Sequence, residues 1–130
     1  MALQRLAIDE VTAVHPGQTS VIVSVTNSQT TFVRTLILHA SSLGSPTPDA
    51  PAFIQVHIVP NNGGSVGTAS SLTRIARVNI AADDTFFVEP EYPIIIDSNG
   101  DSVQVTNEGS TYGGANAYAI NVLAMGDREQ

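Results

Sequence analysis

The chain has 130 residues, 42% hydrophobic and 13% charged, and its 12 acids against 5 bases give a net charge of −7. That length is one domain, large enough to hold a core without staples. The acidic balance excludes a phosphate-reading, nucleic-acid role, since there is no lysine and few arginines. The absence of cysteine excludes disulfide scaffolds, cysteine-ligated zinc, iron–sulfur sites and thiol nucleophiles. Nothing approaches the roughly 18 apolar residues of a membrane span, and Met1 to Ala7 has no apolar run of the kind a secretory signal needs. A soluble protein, made and used without general export, is therefore expected.

Val, Ile and Thr are abundant, and turn residues recur too often for long helices, so the expected class is all-β. The first extended pieces are Leu3 to Asp9 and Val11 to Val14, closed by the turn His15-Pro16-Gly17-Gln18. Thr19 to Thr26 follows, with Val21, Val23 and Val25 on one face and Ile22 interrupting the alternation. Thr31 to Ala40 is the longest strand. Phe32, Leu36 and Leu38 are expected on one face and Val33, Ile37 and His39 on the other. A strand apolar on both faces is central or covered from outside.

Ser41 to Ala52 holds Pro46, Pro48 and Pro51 and reads as a long loop. Phe53 to Val59 alternates, with Ile54, Val56 and Ile58 inward and Gln55 and His57 outward. Pro60 to Ser71 is a second, glycine-bearing loop. Leu72 to Ile80 places Ala76, Val78 and Ile80 inward. Thr85 to Glu89 comes next, and Pro90 and Pro93 then break the ladder. Ile94 to Asp97 and Asp101 to Thr106 bracket Ser98-Asn99-Gly100, a hairpin signal. Glu108 to Asn116 is a third loop, and Tyr118, Ile120, Val122 and Ala124 line the last strand.

The expected architecture is a two-sheet antiparallel β-sandwich, jelly-roll-like, of eight to ten short strands. Residues 1–10 form an N-terminal arm with the first strand. Residues 11–125 form the sandwich, and residues 126–130 a charged tail expected to fray.

Several clusters carry chemistry in principle. Asp97, Asn99 and Asp101 place oxygen ligands at alternate positions, and Glu108 follows eleven residues after Asp97, as in a calcium loop. The sixth position is Ser102 instead of glycine, so a turn with solvated carboxylates is the better account. Asp83-Asp84, and Glu89 with Glu91, offer paired carboxylates without a visible partner. His15, His39 and His57 lie on different segments; His39 and His57 could meet across strands at a metal. Gly63-Gly64-Ser65-Val66-Gly67 has the letters of a nucleophile elbow, but no helix follows. Tyr112 and Tyr118 could stack on a sugar. Arg34, sharing a face with Leu36 and Leu38, needs a strand end or a carboxylate. No catalytic residue, cofactor or resident metal is assigned, and the chain is expected not to be an enzyme.

Thr19 to Asn27 runs into Ser28-Gln29-Thr30-Thr31, and is followed by Val56-His57-Ile58-Val59-Pro60-Asn61-Asn62-Gly63-Gly64-Ser65. Later come Val78-Asn79-Ile80-Ala81-Ala82-Asp83-Asp84-Thr85 and Asn99-Gly100-Asp101-Ser102-Val103-Gln104-Val105. This order of turns and strands, over about residues 11–125, resembles small β-sandwich virion proteins of tailed bacteriophages, of the head decoration or cement type. The resemblance implies a non-enzymatic capsid decoration protein that stabilises the head exterior. Its implied partners are the major capsid protein and further copies of itself, a trimer ahead of a dimer, with no nucleic acid and no membrane. Its implied place is the capsid surface of a virion assembled in the host cytoplasm. The alternative is a tail or fibre module that binds a host-surface glycan through the loops at Asn61 to Ser71 and Glu108 to Asn116. The expected contact residues are Leu3, Leu6 and Ile8 in the arm and Ile37 on the two-faced strand, which could equally complete the protein's own core.

Overall fold

The computed structural model describes residues 3–6, 11–42, 52–81, 83–109 and 118–129. They form ten strands: β1 (Leu3–Arg5), β2 (Thr12–Val14), β3 (Thr19–Ser24), β4 (Thr31–Ser42), β5 (Ala52–Val59), β6 (Arg74–Ile80), β7 (Thr85–Val88), β8 (Ile94–Ile96), β9 (Ser102–Asn107) and β10 (Tyr118–Glu129). No described residue is helical. A six-stranded antiparallel sheet runs β1-β10-β4-β7, with β2 also on β10 and β8 also on β4. A four-stranded sheet runs β3-β9-β5-β6. The protein is an all-β sandwich, and most connections cross from one sheet to the other.

The core lies between the sheets. Val33, Leu36, Leu38, Ile120 and Val122 from one side meet Ile54, Val56, Val103 and Val105 from the other, all fully buried. Alternation along β4, β5, β9 and β10 sends every second side chain inward, which is what a two-layer sandwich requires. Buried polar groups are partnered. Asn107 donates from Nδ2 to the Val14 carbonyl at 3.0 Å, and no described buried side-chain N or O lacks a hydrogen bond.

Two bulges correct the expected faces of Phe32, Val33, Arg34 and Val21. β4 advances from Val33 to Thr35 while β10 advances only from Gly126 to Met125, so Arg34 is an extra residue. An extra residue flips the faces beyond it. Val33 therefore joins Leu36 and Leu38 inside, Phe32 turns outward, and Arg34 leaves the apolar face for solvent. Its Nε donates to Asp127 at 2.8 Å within the same chain. Ile22 is likewise extra on β3 against β9. Val23 and Val25 are buried, but Val21 is exposed.

The Ser98 to Asp101 turn does not close a hairpin. β8 pairs with β4 and β9 with β3 and β5, so the turn is a corner between the sheets. The Asn-Gly signal locates the turn correctly, but the partner strands are decided by long-range packing.

The charged tail is ordered strand up to Glu129. β10 is flanked by β1 on one side and β4 on the other, and the Glu129 amide donates to the Thr30 carbonyl at 2.9 Å. Arg128 donates to Thr31 Oγ1 and to the Ser24 carbonyl. Charge alone does not fray a segment whose backbone groups are paired on both sides.

Candidate functional site

The corner residues Asp97, Asn99 and Asp101 are bonded to neighbouring protein groups. Asp101 Oδ1 accepts from the backbone and side-chain nitrogens of Asn61, both at 2.9 Å, and Oδ2 accepts from the Ser98 amide at 3.2 Å. Burial opposes ionisation of Asp101, but the hydrogen bonds from Asn61 and from the amides of Ser98 and Asp97 outweigh it and hold the carboxyl below its ordinary range. Asn99 Oδ1 accepts from the Ser28 amide at 2.6 Å. Gly100, at φ 90°, approaches Ser65 so closely that a Cβ would strike its carbonyl. The corner thus locks two distant turns, Thr26 to Ser28 and Asn61 to Ser65. Glu108 stands apart from it, on the four-stranded sheet.

The other candidates do not converge. Asp83 and Asp84 are exposed in a turn whose backbone is bonded to Ala40. Glu89 and Glu91 are exposed between β7 and β8. His39 is on β4 and His57 on β5, in different sheets, so they do not meet across neighbouring strands. Among the described residues no group of three His, Asp or Glu side chains is arranged to hold a metal. Ser65 closes the tight turn from Asn62, with Gly63 and Gly64 at positive φ, and lies on no strand-to-helix elbow. Tyr112 and the ring of Tyr118 lie outside the described residues, as do residues 43–51 and 110–117 of the expected loops.

Leu6 is 9% exposed and belongs to the protein's own core, so its burial needs no neighbour. Leu3 is exposed, and Ile8 lies outside the described residues. Ile37 is half-buried on the outer face of the six-stranded sheet. There it pairs with Phe87 on one side and Leu123 on the other, giving an apolar row across β7, β4 and β10. Phe87 is 53% exposed, and Ile95 (beside Phe32) and Met125 are also exposed. The sequence reading missed Phe87, Leu123, Met125 and Ile95 as members of this face. The signal was present: Leu123 and Met125 alternate with inward Val122 and Ala124, so the last strand is apolar on both sides.

The outer face of the four-stranded sheet is mostly polar, although Phe53 and Val21 are exposed on it. Gln55, Thr106 and Thr19 lie in one cross-strand row. Gln104 and Ser102 face outward yet are buried, because the Pro60 to Thr73 loop folds over them; Gln104 Nε2 donates to the Gly67 carbonyl at 3.0 Å. The same loop covers His57, expected outside, which is only 2% exposed. His57 Nδ1 shares a 2.9 Å hydrogen bond with the Thr73 hydroxyl, and Nε2 a 3.4 Å one with Thr106. Burial, followed by the nearby Arg74 charge, lowers its pKa against an opposing hydrogen bond that the ring donates to the Ser70 backbone. Glu108 accepts two bonds from Arg77, at 2.8 and 3.0 Å, and one from Gln55 at 2.8 Å. The Arg77 hydrogen bonds push the Glu108 carboxyl down to about 2, against the cost of burial and with help from Gln55. The Arg77 guanidinium stacks on Phe53, 3.9 Å from the ring centroid.

Comparison of the chain with protein families, with curated proteins and with solved structures finds no match in any of the three.

Proposed function

We propose that the chain is a non-enzymatic structural protein of a tailed-bacteriophage particle, a head decoration protein that docks on the major capsid protein through the outer face of its six-stranded sheet. The observation carrying this reading is the apolar row Phe87–Ile37–Leu123, extended by Met125 and Ile95, in which Phe87, Met125 and Ile95 are exposed. Large apolar side chains in register on a regular face favour burial against a second surface. The turn and strand order that resembles phage decoration proteins supports the same assignment. The described acids, histidines and serines are dispersed or engaged in structural hydrogen bonds, which favours binding over chemistry. Self-association, a trimer ahead of a dimer, would repeat this contact around a capsomer.

The test is copy number in purified particles, measured by quantitative mass spectrometry against the major capsid protein. A fixed, high fraction of the capsid count is expected. A handful of copies moves the protein to the tail, and absence from particles overturns the virion assignment. Leu3 is the arm residue to vary: it is exposed, whereas deletion of residues 1–10 would also remove core Leu6.

A further inference from the structure

The polar face carries a groove of about 300 Å³ lined by Thr19, Gln55, His57, Arg74 and Thr106, with Ser70 and Ser71 on its rim. Arg74 is exposed, and among the described residues it forms no ion pair. The hydroxyls beneath it are ordered: Thr19 and Thr106 share a 2.6 Å hydrogen bond, and Thr106 leads on to buried His57. The groove therefore offers one cation, a ring of hydroxyls and the Gln55 amide.

We propose that this groove binds the carboxylate-bearing face of an acidic monosaccharide of the uronic type. Arg74 meets the carboxylate, and Thr19, Thr106, Ser70 and Gln55 meet the sugar hydroxyls. A volume near 300 Å³ is the low end for small-molecule sites and matches one sugar ring. A single exposed guanidinium, with Glu108 close enough to act on it electrostatically, suits a monoanion better than a dianionic phosphate.

His57 is a positioning residue, one hydroxyl below the ligand. The charged groups around it are Arg74 from β6 and, beyond Gln55, the Arg77–Glu108 pair; β3, β9 and the covering loop present hydroxyls and amides. A bound carboxylate offsets the Arg74 charge, so it makes protonation of His57 easier. Binding then tightens as pH falls through the imidazole range. This inference does not rest on the capsid assignment.

The test uses the full chain and NMR, with glucuronate, glucose and inorganic phosphate as probes. Glucuronate is expected to move the Thr19, Thr106 and Arg74 resonances in the millimolar range and to raise the titration midpoint of His57. Glucose should bind at least tenfold more weakly, and R74Q should weaken glucuronate by tenfold or more. R5Q, in the six-stranded sheet, should not. Phosphate binding as strong as glucuronate overturns the sugar assignment. No resonance change with any probe, or a His57 midpoint that ignores glucuronate, overturns the site. Because Arg74 is exposed and forms no ion pair among the described residues, R74Q is expected to fold, and its spectrum away from the groove checks this.

Discussion

The outer face of the six-stranded sheet carries Phe87, Ile37 and Leu123 in one row, whereas the outer face of the four-stranded sheet carries Gln55, His57, Gln104 and Thr106. Both sheets send Val, Ile and Leu inward with the same two-residue period, so their inner faces are interchangeable in kind. The outer faces differ in what completes them. The polar face is partly covered by its own loop and ion pair, and leaves the groove beside Arg74, with Phe53 and Val21, in contact with solvent. The apolar face has Phe87, Ile95 and Met125 still in contact with solvent. The inner faces serve the core alike, and the outer residues are where the two sheets differ.

The strongest way to break this contrast is at the bulge that sorts the six-stranded sheet. A Cβ at Gly126 would strike the Phe32 carbonyl and approach the Arg34 amide at 3.2 Å. Gly126→Ala is expected to cost about 3 kcal/mol, the upper end for overpacking. Losing the bulge would also return Arg34 to the face of Leu36 and Leu38. Urea denaturation reads the effect as a lower midpoint at unchanged slope. An unchanged midpoint would mean that Gly126 does not fix the bulge.

The corner between the sheets comes next. Asp101→Ala leaves the Asn61 amide, the Asn61 side chain and the Ser98 amide without their acceptor. The loss should be about 1.5 kcal/mol, as for partly exposed hydrogen bonds to a charged group. It should also loosen the turn from Asn62 to Ser65, because Asn61 joins the two. Amide hydrogen exchange at Ser65 checks this: protection that survives the substitution would show that the corner does not hold the turn.

The strands, most of their limits and the inward residues Ile54 and Val56 of β5 and Ile120, Val122 and Ala124 of β10 were legible in the sequence, because period-2 alternation and turn residues are local signals. The bulges were not, since an extra residue such as Arg34 is defined only by the strand opposite. The Asn99-Gly100 turn was readable as a turn but not as a corner, because pairing of β8 with β4 and of β9 with β5 is a choice among distant partners. His57 was assigned to solvent from its outward position; no periodicity reveals a loop from Pro60 to Thr73 folding back over it. Of the expected contact residues, Ile37 was placed on the outer face by its neighbours' alternation. Leu6 was not recognisable as core, because a short apolar arm looks the same on either surface.

A smaller effect sharpens the polar face. Glu108 titrates near 2 against an ordinary 4.5. An acid with a depressed folded pKa stabilises fully above its unfolded value and loses that contribution as pH falls through its folded one. The window is therefore between about 4.5 and 2. Glu108→Gln should lower the denaturation midpoint modestly at pH 7, since the pair is largely solvent-screened. It should flatten the loss of stability within that window, with a residual slope from Asp101. His57 acts over a different range. Its lowered pKa favours the neutral ring in the folded state, so its contribution is present above the ordinary imidazole value of 6.5 and is lost as pH falls below it. His57→Gln should flatten the slope there and leave the acid window unchanged.

The smallest effect on stability is expected on the apolar face, and that is what makes it the sharper probe of function. Phe87 is 53% exposed, so its substitution removes little of the burial that holds the fold. Phe87→Asp should move the denaturation midpoint by no more than about 0.5 kcal/mol, as for a surface change. If a capsid surface covers the row, the same substitution removes about 1 kcal/mol of apolar contact and places an unpaired carboxylate in a dry interface. Binding to particles stripped of the protein should then fall at least tenfold. Leu72→Asp, in the loop over the four-stranded sheet at 94% exposure, tests added charge elsewhere on the surface and should leave binding unchanged. Equal weakening by both would assign the effect to net charge, since the chain already carries −7. Weakening by Phe87→Asp alone would separate the face that is finished by the chain itself from the one that requires a neighbour.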